Sequence, residues 1–160
     1  MLISDVFQFA REGRVWKGVF PLSQMERLAD ALARHTGEVL VTLVGGVDDR
    51  GQAQLALSLS ADLRLPCPRC LQELAWPLAV QTCLRPVPAG HPVEQEELLD
   101  DDHDVIEIDG ALDVQALAED EILLALPLMA CHEHCAPPQM RETAEPSSPF
   151  AVLAGLRKKS

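Results

Sequence analysis

Residues 54–85 constrain the fold more than any other stretch of this chain. Leu55, Leu57, Leu59, Ala61, Leu63 and Leu65 alternate with Gln54, Ala56, Ser58, Ser60, Asp62 and Arg64. A second run places Leu74, Trp76, Leu78, Val80, Thr82 and Leu84 between Glu73, Ala75, Pro77, Ala79, Gln81, Cys83 and Arg85. A period of two belongs to a strand with one face in the core and the other in water. Two such runs of similar length, joined by Pro66–Gln72, predict a long antiparallel hairpin with Cys67-Pro68-Arg69-Cys70 at its tip. Pro77 gives no N–H to a ladder, so the second strand is an edge there or carries a bulge.

The rest of the chain is read around that hairpin. Arg14–Phe20 and Glu38–Val44 predict further strands, and Gly45–Gly51 is turn chemistry. Between them, Leu22–His35 has Leu22, Met25, Leu28, Ala29 and Leu32 at helical spacing, with a Ser23/Glu26 capping box. Residues 86–104 carry three prolines and a glycine, then seven acids between Glu94 and Asp104, and predict an acidic loop. Val105–Ile108 returns as a short strand. Asp113 caps a second helix that runs to Leu126 and stops at Pro127. On it, Val114, Leu117, Ala118, Ile122 and Ala125 face inward, Leu123, Leu124 and Leu126 widen that face, and Glu119, Asp120 and Glu121 form the wet side. The fold class expected is α+β: an antiparallel β meander with a long hairpin, two packed helices and a flexible C-terminal tail. Residues 1–135 form a single domain, and residues 136–160 form a linker with a short basic amphipathic tail. In that tail Phe150, Leu153, Leu156, Arg157, Lys158 and Lys159 are the candidate partner-binding residues, because so short a segment orders only on binding something.

Charge and composition exclude several functions. The net charge of −12 is unevenly spread. Residues 1–93 hold nine acids and nine bases, residues 94–145 hold sixteen acids and one base, and residues 146–160 hold three bases and no acid. A chain that neutralises many phosphates has the opposite sign. Two Trp, four Phe and no Tyr make a poor platform for stacking nucleic-acid bases. No apolar run approaches the ~20 residues of a membrane span, and Met1–Ala10 lacks the basic n-region of a secretory signal. Five cysteines, an odd number, fit reduced thiols and a cytoplasmic location better than a disulfide framework.

The candidate chemistry is metal binding. Cys67-x2-Cys70 sits at a hairpin tip, and Cys131-x3-Cys135 follows the second helix. Zinc takes four soft ligands in a tetrahedron, so Cys67, Cys70, Cys131 and Cys135 are the expected set, with His132 and His134 close by. The alternative reading is a buried thiol pair at a turn and a separate surface Cys-His cluster. A glycine-rich phosphate loop, a nucleophile elbow and a helical zinc-protease spacing are all missing from the sequence.

Taken together, Cys67-Pro-Arg-Cys70, Glu107-Ile-Asp109, the block Ala118–Pro127, Cys131-His-Glu-His-Cys135 and the ending Ser148–Lys159 resemble the YceD family of bacterial large ribosomal RNA subunit accumulation proteins, in its proteobacterial branch. The resemblance implies a non-enzymatic ribosome-biogenesis factor supporting synthesis, processing or stability of large-subunit (23S) ribosomal RNA. It implies an assembly protein or precursor large subunit as partner, with no membrane and no small-molecule substrate. Many members of that family carry two cysteine pairs resembling a zinc site, and the Cys-x3-Cys spacing here departs from their second pair. The alternative function is a zinc-binding interaction module or RNA-processing accessory with an indirect effect on ribosomal RNA.

Overall fold

The computed structural model describes residues 1–90 and 103–136. Five strands form one sheet in the order β2 (Val15–Pro21), β3 (Glu38–Val47), β4 (Ala53–Pro66), β5 (Glu73–Pro88) and β6 (Asp104–Ile108). A second, two-stranded sheet pairs β1 (Leu2–Ile3) with β7 (Leu112–Asp113). The α+β class holds. β4 and β5 form the expected hairpin, in register from Leu55 opposite Leu84 to Pro66 opposite Glu73.

The alternation sorts the faces as the period demands. Leu55, Leu57, Leu59, Leu63 and Leu65 are buried, as are Val39, Val41 and Leu43 of β3. Their outward neighbours Leu40, Ala56, Ser60 and Asp62 are exposed. Each buried leucine contributes about 2 kcal/mol of transfer free energy, so a one-residue slip that turned all eight outward is strongly disfavoured. Helix α1 (Val6–Arg11) packs on β3 and β4, and helix α2 (Val114–Ala125) packs on β5. The N-terminal end of each helix is closed by an aspartate. Asp5 accepts from the Gln8 N–H at 2.7 Å, and Asp113 accepts from the Gln115 N–H at 3.0 Å.

Five expectations are corrected. Leu22–His35 is not an α-helix: it forms two short 3-10 helices, Leu22–Gln24 and Glu26–Ala31, and no side chain caps either. The helix that accompanies α2 on the sheet is instead α1, which the sequence reading passed over. β3 continues through Gly45 and Gly46 rather than turning there. A Cβ at Gly45 would lie 2.5 Å from the Phe9 carbonyl oxygen, so the missing side chain is what admits α1 against the strand. β6 joins the sheet parallel to β5, pairing Leu84–Pro88 with Asp104–Ile108, so the last step departs from an antiparallel meander. A parallel partner needs a connection of a dozen or more residues, and fifteen residues separate the end of β5 from the start of β6. Six of the seven acids fall in 91–102, outside the described residues, and the seventh, Asp104, opens β6, while Pro86 and Pro88 belong to β5 rather than to a loop. Pro77 behaves as expected: β6 reaches only Leu84–Pro88, so among the described residues β5 has an open edge beside Pro77. The fifth correction is on α2. Glu119 is buried rather than wet, and Leu124 is 80% exposed rather than buried.

Candidate metal centre

The tip of the β4–β5 hairpin closes on itself. The Cys67 N–H donates to the Gln72 carbonyl at 2.9 Å, and the Leu71 N–H donates to the Cys67 carbonyl at 2.8 Å. Leu71 takes a positive φ of 61°, which lets the chain reverse immediately after Cys70. Within this tight turn the backbone N–H of Cys70 points at the Cys67 sulfur, and those of His132 and Arg69 add to it. Together they hold the Cys67 thiol down to about 5. The other half of the site comes from beyond α2. Pro127 ends the helix, Ala130 is buried, and residues 131–135 fold back against the tip.

Four ligand atoms meet there. Those of Cys67, Cys70, His132 and Cys135 all lie within 4.8 Å of one another. The Cys67 and Cys135 sulfurs are 3.8 Å apart, and the Cys70 sulfur is 3.4 Å from His132 Nδ1. A zinc tetrahedron with bonds of 2.0–2.3 Å has S···S edges of ~3.8 Å and S···N edges of ~3.6 Å, so the cluster is already close to those dimensions. The opposite ring nitrogen of His132, Nε2, donates to the Glu73 carbonyl at 3.0 Å, which leaves Nδ1 free to ligate. Glu73 is itself in an ion pair with Arg34. Cys135 stands at the other electrostatic extreme. Burial, then the neighbouring Cys67 and Cys70 sulfurs, push its thiol up to about 11. Three sulfurs this close repel one another as thiolates, and a shared cation is what allows all three to ionise.

The cluster the fold assembles differs from the expected set at one position. Cys67, Cys70 and Cys135 come together, while Cys131 stands outside the group and His132 takes its place. Both types of ligand were in view in Cys-His-Glu-His-Cys; spacing alone does not reveal which side chain turns toward the hairpin. His134 is also outside the cluster. Phe150, Leu153, Leu156, Arg157, Lys158 and Lys159 lie outside the described residues. Cys83 sits on β5 away from the tip, its thiol pushed up by burial.

This arrangement joins two stretches of sequence, 67–70 and 131–135, that both fall inside the region matched by a known family. The family described as "Large ribosomal RNA subunit accumulation protein YceD" matches residues 55–157. The chain belongs to the YceD family. A Haemophilus influenzae protein of that same name is 31% identical over 170 residues, spanning 99% of this chain and 96% of its own length. No solved structure gives a significant match. The YceD match begins at the first core leucine of β4 and takes in all four ligand positions. No helix among the described residues is long and apolar enough to cross a membrane.

Two buried charged groups carry no signal in the sequence: Arg85 of β5, 3.7 Å from the Asp48 carboxylate, and Glu119 of α2. Glu119 of α2, 7% exposed, accepts from the backbone N–H groups of Arg27 at 2.6 Å and Leu28 at 3.2 Å. Arg27 Nε approaches its other oxygen at 3.3 Å. The carboxylate thus does for the second 3-10 helix what a local cap would do, from 92 residues away. No local signal marks such a cap, because its partner is remote in sequence.

Proposed function

We propose that this chain is a non-enzymatic factor that supports the accumulation of large-subunit ribosomal RNA, acting through an assembly protein or the precursor particle. The observation that carries this reading is the near full-length similarity to a protein named for that role. The Cys/His cluster fits it as a structural element. Four protein ligands make a closed site, whereas catalytic zinc keeps a position open for water or substrate. Cys67, Cys70, His132 and Cys135 would hold one zinc ion, which supplies a cross-link between the hairpin tip and the segment after α2. The basic amphipathic segment 150–160 would then be the part that captures the partner.

The test is the ratio of large- to small-subunit ribosomal RNA in cells depleted of the protein, with wild-type and Cys67→Ser/Cys70→Ser copies restored in parallel. The expected result is a selective fall in the large RNA that the wild type corrects and the double variant corrects poorly. An unchanged ratio on depletion would refute the proposed role.

A further inference from the structure

One margin of the five-stranded sheet, among the described residues, is the edge of β2. β2 bonds to β3 along one edge and to no other strand among the described residues. The Arg14 carbonyl accepts from Gly45 and the Leu22 N–H donates to Gly37, so even-numbered residues direct their backbone groups at β3. The odd-numbered residues Val15, Lys17 and Val19 therefore turn their N–H and C=O groups to the open edge. A cavity of about 490 Å³ lies between the start of that edge and β1. On the outward face Val15 is 57% and Val19 48% exposed, next to Leu40 of β3 at 56%. An open edge carrying exposed β-branched residues is a template for another strand.

We infer that the occupant is a second copy of this chain, with β2 pairing antiparallel to β2 about a twofold axis at Gly18. Three features select this partner and this register. First, Gly18 opposite Gly18 of the second copy is a pair without backbone bonds, so Lys17 and Val19 of the second copy, both edge-facing, exchange theirs. Second, a register centred on Lys17 would set two ammonium groups directly opposite each other, which is unfavourable; centring on Gly18 sets each lysine opposite a valine. Third, the same register sets Trp16 opposite Phe20 of the second copy. Trp16 already lies over its own Gly18, where an added Cβ would come within 2.3 Å of the ring, and stacks on its own Phe20 at a centroid distance of 5.7 Å. The two glycines make room at the narrow pair, where Cα atoms approach to about 4.5 Å. Two half-buried tryptophans then close over the join, each beside two phenylalanines. The product is one continuous sheet of ten strands across an isologous contact.

Sedimentation of the full chain from low to high micromolar concentration tests this pairing. The wild type is expected to move from 17.5 kDa toward double that mass. Val19→Lys puts an ammonium opposite Lys17 of the second copy at two symmetric places and should weaken dimerisation roughly tenfold or more. Lys17→Glu combined with Val19→Lys makes both facing pairs opposite in charge and should restore it. Both side chains are exposed, and circular dichroism of each variant should match the wild type. A wild type that stays monomeric throughout, a Val19→Lys variant that dimerises as well as the wild type, or a double variant that regains nothing would each overturn the pairing.

Discussion

Glu119 shows how much one side chain can govern in this protein. Its Oε1 takes the N–H groups of Arg27 and Leu28, and Oε2 faces the Arg27 guanidinium. Glu119→Ala strands two donors, one of them buried, and should cost about 3 kcal/mol in urea unfolding. Glu119→Gln keeps a carbonyl for both N–H groups and loses only the charge beside a half-exposed arginine, so its cost should be about 1 kcal/mol. Equal losses for the two variants would mean that the charge, not the cap, is what counts. Asp48 gives a second residue-scale prediction, this time in pH. The Gln52 N–H first, then the Arg50 N–H and the Arg85 charge, hold its carboxyl below the usual carboxylate range. A folded-state pKa below the unfolded value means stability that is present above the unfolded pKa and lost as pH falls through the folded one. The loss therefore belongs below about pH 4. Asp48→Asn should flatten the acid side of a stability–pH curve and leave the slope near neutrality unchanged.

At the scale of elements, what the sequence discloses depends on whether a pattern is local. The β4–β5 hairpin is legible because period two has no competing interpretation over so long a run. Leu22–Leu32 is not, because i, i+3 spacing serves a 3-10 turn as well as an α-helix, and what settles it is Glu119, brought in by α2. Gly45-Gly46 reads as a turn until α1 is known to lie against it, and the parallel pairing of β6 depends on a crossover that has no periodicity at all. The metal cluster is half legible for the same reason. Cys67 and Cys70 are fixed by their own turn, whereas the choice among Cys131, His132, His134 and Cys135 rests on how residues 131–135 fold onto that turn. Metal analysis separates the two ligand sets. Protein purified with zinc should hold about one equivalent, Cys131→Ser should hold as much, and His132→Ala or Cys135→Ser should hold much less. A chelator should lower the unfolding temperature of the wild type and of Cys131→Ser alike, because the ion ties together elements that otherwise meet only by packing. Metal lost from Cys131→Ser would restore the set expected from the sequence.

Over the whole molecule, structure and charge divide the chain. The buried core of the described residues runs from Ile3 to Ala130, and the candidate metal cluster ends at Cys135. The acids are concentrated between 94 and 145, and the last three charges of the chain, Arg157, Lys158 and Lys159, are basic. A partner reached through residues 150–160 meets a small positive, apolar segment on a protein whose overall charge of −12 repels nucleic acid at long range. On the function proposed above, such an encounter would favour a protein surface as partner. Removing residues 137–160 should then separate stability from function. The unfolding free energy should change by no more than about 0.5 kcal/mol, and the zinc content should not change. The truncated protein should nonetheless fail to restore large-subunit ribosomal RNA in depleted cells and fail to co-sediment with precursor particles. Full rescue by the truncated chain would move the working surface onto the folded domain, where the exposed side chains of Leu71, Leu128 and Met129 around the clasp offer the next apolar contact to mutate. A large loss of stability would instead mean that the tail is part of the fold.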